Sequence, residues 1–255
     1  MITISNSGKI IPGCLNELKE LVKDKNIYLG DIDISNITSF YYLFKNSSRT
    51  DFSGLETWDV SHVTDMCGMF FAAKYFKGVE IENWDVSNVK DMGEMFFACK
   101  WFKSDLSKWN VSNVTDMSRM FDGCESFTGN GVENWDVSHV ENMEKMFAKA
   151  TNFNMDISKW NVSNVTNMRE MFMKAENFNQ PIGGWDVSKV VSMWGMFEDA
   201  KKFNQPLDNW DTRNVKFMRF IFWNADSFNQ KLSSWKEKIP LSVRGKSCVD
   251  IEQFF

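Results

Sequence analysis

The sequence predicts an α/β solenoid of about eight strand–helix coils, each 25–26 residues long, with a cap at each end. Three observations predict it. A tryptophan recurs at positions 58, 84, 109, 135, 160, 185, 210 and 235, with Ile32 in that place one unit earlier. Within each unit, valine opens an apolar stripe at offsets 0, 3, 6, 7 and 10, as in Val114, Met117, Met120, Phe121 and Cys124. Repeats of helix pairs need about 33 residues or more, whereas roughly 20–29 suit one strand and one helix per coil. The chain then divides into a helical cap (1–26), the repeats (27–235) and a closing cap (236–255).

In chain order, Leu15, Leu18 and Val22 sit at helical spacing behind Pro12 and Gly13, which predicts a short helix over the apolar end of the first coil. Residues 27–43 form a degenerate first unit, with Leu29, Ile34, Ile37, Phe40 and Leu43 in apolar slots. From Trp58 onward the valine–methionine–phenylalanine stripe predicts an α-helix of about three turns in each unit. Ser112, Ser138 and Ser163 stand before that stripe as candidate caps. The segment from Phe153 to Ile157, like its counterparts, is apolar at both ends and polar between, which suits a brief strand. The 26-residue units carry their extra residue here, to be absorbed as a bulge or longer turn. Past Trp235 the pattern fails, and Phe254 and Phe255 are expected to fold back on the last coil.

Composition narrows the function classes. A net charge of −5 and no run of Lys or Arg argue against a nucleic-acid partner. Five cysteines without paired spacing disfavour a disulfide framework, and Cys99 and Cys124 replace an alanine of other units, as buried thiols do. Residues 1–12 lack the basic start and apolar run of a leader, and no stretch approaches the ~20 apolar residues of a membrane span. No nucleotide-binding, nucleophile-elbow or zinc-protease motif occurs, so neither catalysis nor a cofactor is expected. His62 and His139 lie three units apart, too far to share a metal. The aspartates after tryptophan (59, 85, 136, 186, 211) alternate with Asn110 and Asn161, which favours turn hydrogen bonds over calcium binding.

The motifs WDVSNV, M-x-x-MF and FNQ, repeated through about Leu29 to Trp235, resemble the bacterial surface protein 26-residue repeat, a relative of the BspA-like leucine-rich repeats. The resemblance implies a right-handed, leucine-rich-repeat-like α/β solenoid. It also implies exported bacterial proteins, some of whose relatives are adhesins for host matrix proteins, and it carries no catalytic motif. The expected function is a non-enzymatic protein-binding scaffold, adhesin-like at a bacterial surface or secreted. The alternative is an intracellular adaptor or injected effector on the same coils.

Two sets of residues are candidates for contact. The expected strand face carries Lys103, Asp105, Asn154, Asp156, Asn179, Gln180, Asn204, Gln205, Asn229 and Lys231, whose polarity suits a polypeptide or a glycan as well as plain solvation. Aromatic residues outside the core stripe form the second set: Phe71, Tyr75, Phe97 and Trp101 in two successive units, and Trp194, Phe220 and Trp223 near the other end. Clustered exposed aromatics mark interaction surfaces, although packing between neighbouring units or under a cap would explain them equally.

Overall fold

The computed structural model describes residues 3–5, 8–239 and 243. Two short strands, β1 (Thr3–Ile4) and β2 (Ile10–Ile11), pair antiparallel, and β2 leads to the helix α1 (Leu15–Lys23). Leu18, Leu21 and Val22 of α1 join one core cluster that runs to the far end of the repeats, where the short helix α2 (Trp235–Lys238) begins. Of the closing segment 236–255, only residues 236–239 and 243 are described, so the folding back of Phe254 and Phe255 lies outside the described residues.

Successive repeats stack through single parallel bridges in one column: Ser39, Asp65, Asp91, Asp116, Asn142, Asn167, Ser192 and Phe217, each 25 or 26 residues from the next. The interior is built of like-on-like columns. Phe96, Phe121, Phe147, Phe172 and Phe197 follow one another at ring separations of 5.6–5.9 Å. Each also stacks on a second phenylalanine of its own repeat, as Phe147 does on Phe153 at 3.8 Å. Such rings bury roughly 150–250 Å² each, the main source of cohesion in a stack with no disulfide among its described cysteines.

Tryptophan recurs for a reason beyond its area. Buried indoles need a partner for their N–H. Every repeat tryptophan donates Nε1–H to the carbonyl of an apolar residue 28 or 29 positions earlier, from Trp58 to Leu29 (2.8 Å) through Trp235 to Leu207 (2.9 Å). The side chain thereby ties its repeat to the one before it.

The α-helix expected over the apolar stripe does not form. In its place lies a run of turns that shares its hydrogen bonds between repeats. The N–H groups of Met117, Arg119, Phe121 and Gly123 donate to Asn142, Glu144, Met146 and Ala148 of the next repeat. Those of Met120, Asp122 and Cys124 donate three residues back, to Met117, Arg119 and Phe121. A helix requires every amide to bond four residues back, and none of these seven does: four cross to the next repeat and three bond three residues back. All thirteen non-glycine residues with positive φ among the described residues fall in two slots of this run, as do Gly68, Gly123 and Gly195. At roughly 1–2 kcal/mol per such residue, the conformation persists because the inter-repeat bonds and aromatic columns fix it.

The brief strand expected after the second phenylalanine is also absent, and the strands among the described residues are β1 and β2. A 3-10 turn closes this segment in units of both lengths, as at Ile182–Gly184, but in two of the 26-residue units it is entered through a left-handed glycine: Gly78 (φ 91°) before Val79–Ile81 and Gly131 (φ 90°) before Val132–Asn134. A Cβ at Gly131 would lie 2.1 Å from the Ser107 nitrogen of the previous repeat, so only glycine allows this approach.

Candidate interaction surfaces

The polar residues expected to face a ligand from a strand are instead a column of amides joining repeats. The Asn154 carboxamide oxygen accepts from the Asn179 backbone N–H (2.9 Å) and from Gln180 Nε2 (3.0 Å). Asn179 does the same for Asn204 and Gln205, and Asn204 for Asn229 and Gln230. The F-N-Q motif thus replaces a strand ladder with side-chain acceptors. The remaining members of the set stand apart from this column. Asp105 and Asp156 each accept the backbone N–H two residues on, from Ser107 and Ser158 (both 2.9 Å). Both carboxyls are held below their ordinary pKa, Asp105 first by the Ser107 backbone bond and then its side chain, Asp156 first by the Ser158 side chain and then its backbone. Lys103 and Lys231 are exposed.

The aspartates after tryptophan act as turn acceptors. Asp59, Asp85, Asp136 and Asp186 each receive the serine N–H two residues later at 3.0 Å, and Asn110 and Asn161 do so at 3.1 and 3.2 Å. His62 hydrogen-bonds the Ile34 carbonyl (3.2 Å) in the slot where Asn88 and Asn113 bond a serine carbonyl. Among the described residues, no group of three or more His, Cys, Asp or Glu side chains is placed to hold a metal ion.

The aromatic residues are brought together in part. Phe71 and Phe97 are half-buried and stack at 4.4 Å; Tyr42 continues the row (5.6 Å to Phe71), with Lys45 over Tyr42 and Arg119 over Phe97 (4.8 Å). At the other end Arg169, Trp194, Phe220 and Trp223 form a similar row, Trp194 and Phe220 meeting edge-on at 5.7 Å. Cations closing aromatic rows are favourable even where exposed, so these rows help hold the repeats together. Tyr75 and Trp101, 42% and 50% exposed with Lys74 and Lys100 over their rings (5.2 and 5.9 Å), line a groove of about 400 Å³ with Thr50 and Lys77, while Trp223 of the second row is 48% exposed. Other repeats carry Ser126, Asn152, Asn177, Lys202 and Ser227 in that slot. Tyr41 and Phe217, at 47% and 58% exposure, are further outward aromatics that the sequence reading passed over, although they too break the repeat pattern.

Parallel coupling of near-identical units defines a repeat protein. The family described as "Mycoplasma protein of unknown function, DUF285" matches residues 38–154 and again 128–235. The chain belongs to that family and is a bacterial repeat protein. No curated protein and no solved structure matches it.

Proposed function

We propose that the chain is a non-enzymatic binding scaffold, a right-handed solenoid of leucine-rich-repeat-like plan related to the BspA-like proteins, which recognises another protein at a bacterial surface or after secretion. The observation that carries this reading is the Tyr75–Trp101 pair. Two large aromatic side chains remain exposed over one groove, in a slot where five other repeats use small or polar residues. The fold does not require them, and aromatic anchors of this kind supply much of the energy of protein recognition. The rigid stack behind them lowers the ordering cost of binding.

The test uses Tyr75→Ser and Trp101→Ser together, serine being native to that slot at Ser126 and Ser227. Intact host or neighbouring bacterial cells are surface-biotinylated, and their proteins are captured on the immobilised chain. The double variant should fold as the parent does and lose at least tenfold of the captured protein. Undiminished capture would overturn the assignment of the groove. Capture confined to cytosolic proteins would favour an intracellular adaptor or injected effector.

A further inference from the structure

The amino-terminal end of this acidic chain holds a local reversal of charge. Lys19 of α1, Lys25 just after it, and Lys45 and Arg49 from the first repeat line one cleft of about 420 Å³, beside Ser47 and Ser48. No Asp or Glu lines it, although the chain carries 34 acidic residues against 29 Lys and Arg. Lys23 also lines the cleft, but it pairs with Glu20 at 2.5 Å. Lys19, Lys25 and Lys45 make no ion pair among the described residues; Lys19 stands over the Tyr41 ring (5.6 Å), and Lys45 over Tyr42 (4.2 Å) and Phe71 (4.8 Å). Ring faces position an ammonium without cancelling its charge.

Arg49 is the second, independent observation. It is 4% exposed, yet its guanidinium bonds the backbone carbonyls of Ile27 and Asp24 in place of a carboxylate, and its Nε is buried without a partner. Asp51 and Asp24 act on it only through space, without an ion pair, while each accepts a backbone N–H, from Ser53 and Asn26 (both 2.9 Å). A buried guanidinium with no ion pair among the described residues and an unpartnered Nε is costly, and a bound anion in the adjoining cleft would add to the compensation that these two carboxylates give from a distance.

We propose that this cleft binds a tetrahedral oxyanion, the phosphate or sulfate group of an ester, held by the ammonium groups of Lys19, Lys25 and Lys45 with the Ser48 hydroxyl as donor. Arg49 contributes fixed positive charge from the floor. The site is separate from the Tyr75–Trp101 groove and does not depend on the function assigned there. A sequence scan misses it because Lys19 and Lys45 lie 26 residues apart in the chain.

Calorimetric titration of the whole chain with inorganic phosphate and inorganic sulfate, at ionic strength held constant with chloride, tests the site. Saturable binding is expected, weakened at least tenfold in Lys25→Gln/Lys45→Gln and unchanged in Lys159→Gln/Lys216→Gln, which removes the same charge far from the cleft. Absence of saturation, or equal weakening in both double variants, overturns the proposal. Sedimentation with phosphatidylcholine vesicles containing phosphatidic acid then separates the sources. Cleft-dependent co-sedimentation identifies a lipid headgroup, and free-ion binding without it identifies a soluble ester.

Discussion

The two halves of the bridge column perform one task with different chemistry. In Asp65, Asp91 and Asp116 a carboxylate oxygen accepts the backbone N–H two residues on (2.7–2.9 Å), whereas in Asn142 and Asn167 a carboxamide oxygen does so at 3.1 and 3.0 Å. An acceptor there need not carry a charge, and at Phe217, the last position of the column, the bridge forms without a side-chain acceptor. Charge has a consequence all the same. Asp65 also accepts from Ser39 Oγ (2.7 Å) and Asp116 from Asn142 Nδ2 (3.1 Å), while Asp91 stands between two carboxylates. Burial first, then Asp116, Asp65 and Glu94, raise its pKa, and burial followed by Asp91 itself, Asp65, Glu94 and Asp116 pushes the Cys67 thiol up to about 12.

The comparison presumes that both halves share one core, and the largest expected effect tests that presumption. Phe153→Ala should cost about 3–5 kcal/mol and lower one cooperative transition; separate melting of the halves would show that their columns cannot be compared within one cooperative unit. Asn179→Ala removes the acceptor of Asn204 N–H and Gln205 Nε2. It should cost about 1–3 kcal/mol in denaturant unfolding, and a cost near zero would mean that water replaces the amide column. Lys174→Gly, at a φ of 59°, should gain about 1 kcal/mol by relieving the left-handed strain; a loss would show that the lysine side chain matters more than the backbone.

The smallest effect bears most directly on the charged half. Asp91→Asn should stabilise the chain by a few tenths to about 1 kcal/mol at neutral pH and low salt. Because the folded pKa of Asp91 lies above 3.8, its penalty is present above the folded pKa and is gone below the unfolded one. The advantage of the variant should therefore fade as pH falls toward 3.8, and a constant advantage would refute the repulsion. The turn carboxylates Asp59, Asp85, Asp136 and Asp186, first through their serine side-chain hydrogen bonds, have the opposite sign. Their contribution is present above the unfolded pKa and is lost as pH falls through the lowered folded one.

The period, the inward columns and the identity of their members could all be read from the sequence, because tryptophan and phenylalanine recur wherever the stack needs them. The backbone between them could not. Met117, Met120, Phe121 and Cys124 point inward from a run of turns at the same offsets a helix would use, so periodicity cannot separate the two. A signal was present in Gly68, Gly123, Gly195, Asn46 and Asn224, glycine and asparagine in mid-stripe slots that helices disfavour and left-handed turns accept. The amides of F-N-Q were visible but not their use, since a side chain that accepts from the next repeat and one that waits for a ligand have the same composition.

The tryptophan bond back to the preceding repeat sets how this chain can change length. A unit removed or duplicated whole leaves each indole facing the same carbonyl, so growth and shrinkage come in steps of one period. A change of two or three residues inside the valine-to-alanine run would instead misalign every amide that crosses to the neighbouring layer. Lengthening the molecule is thus open to simple unequal recombination, while its cross-section stays fixed.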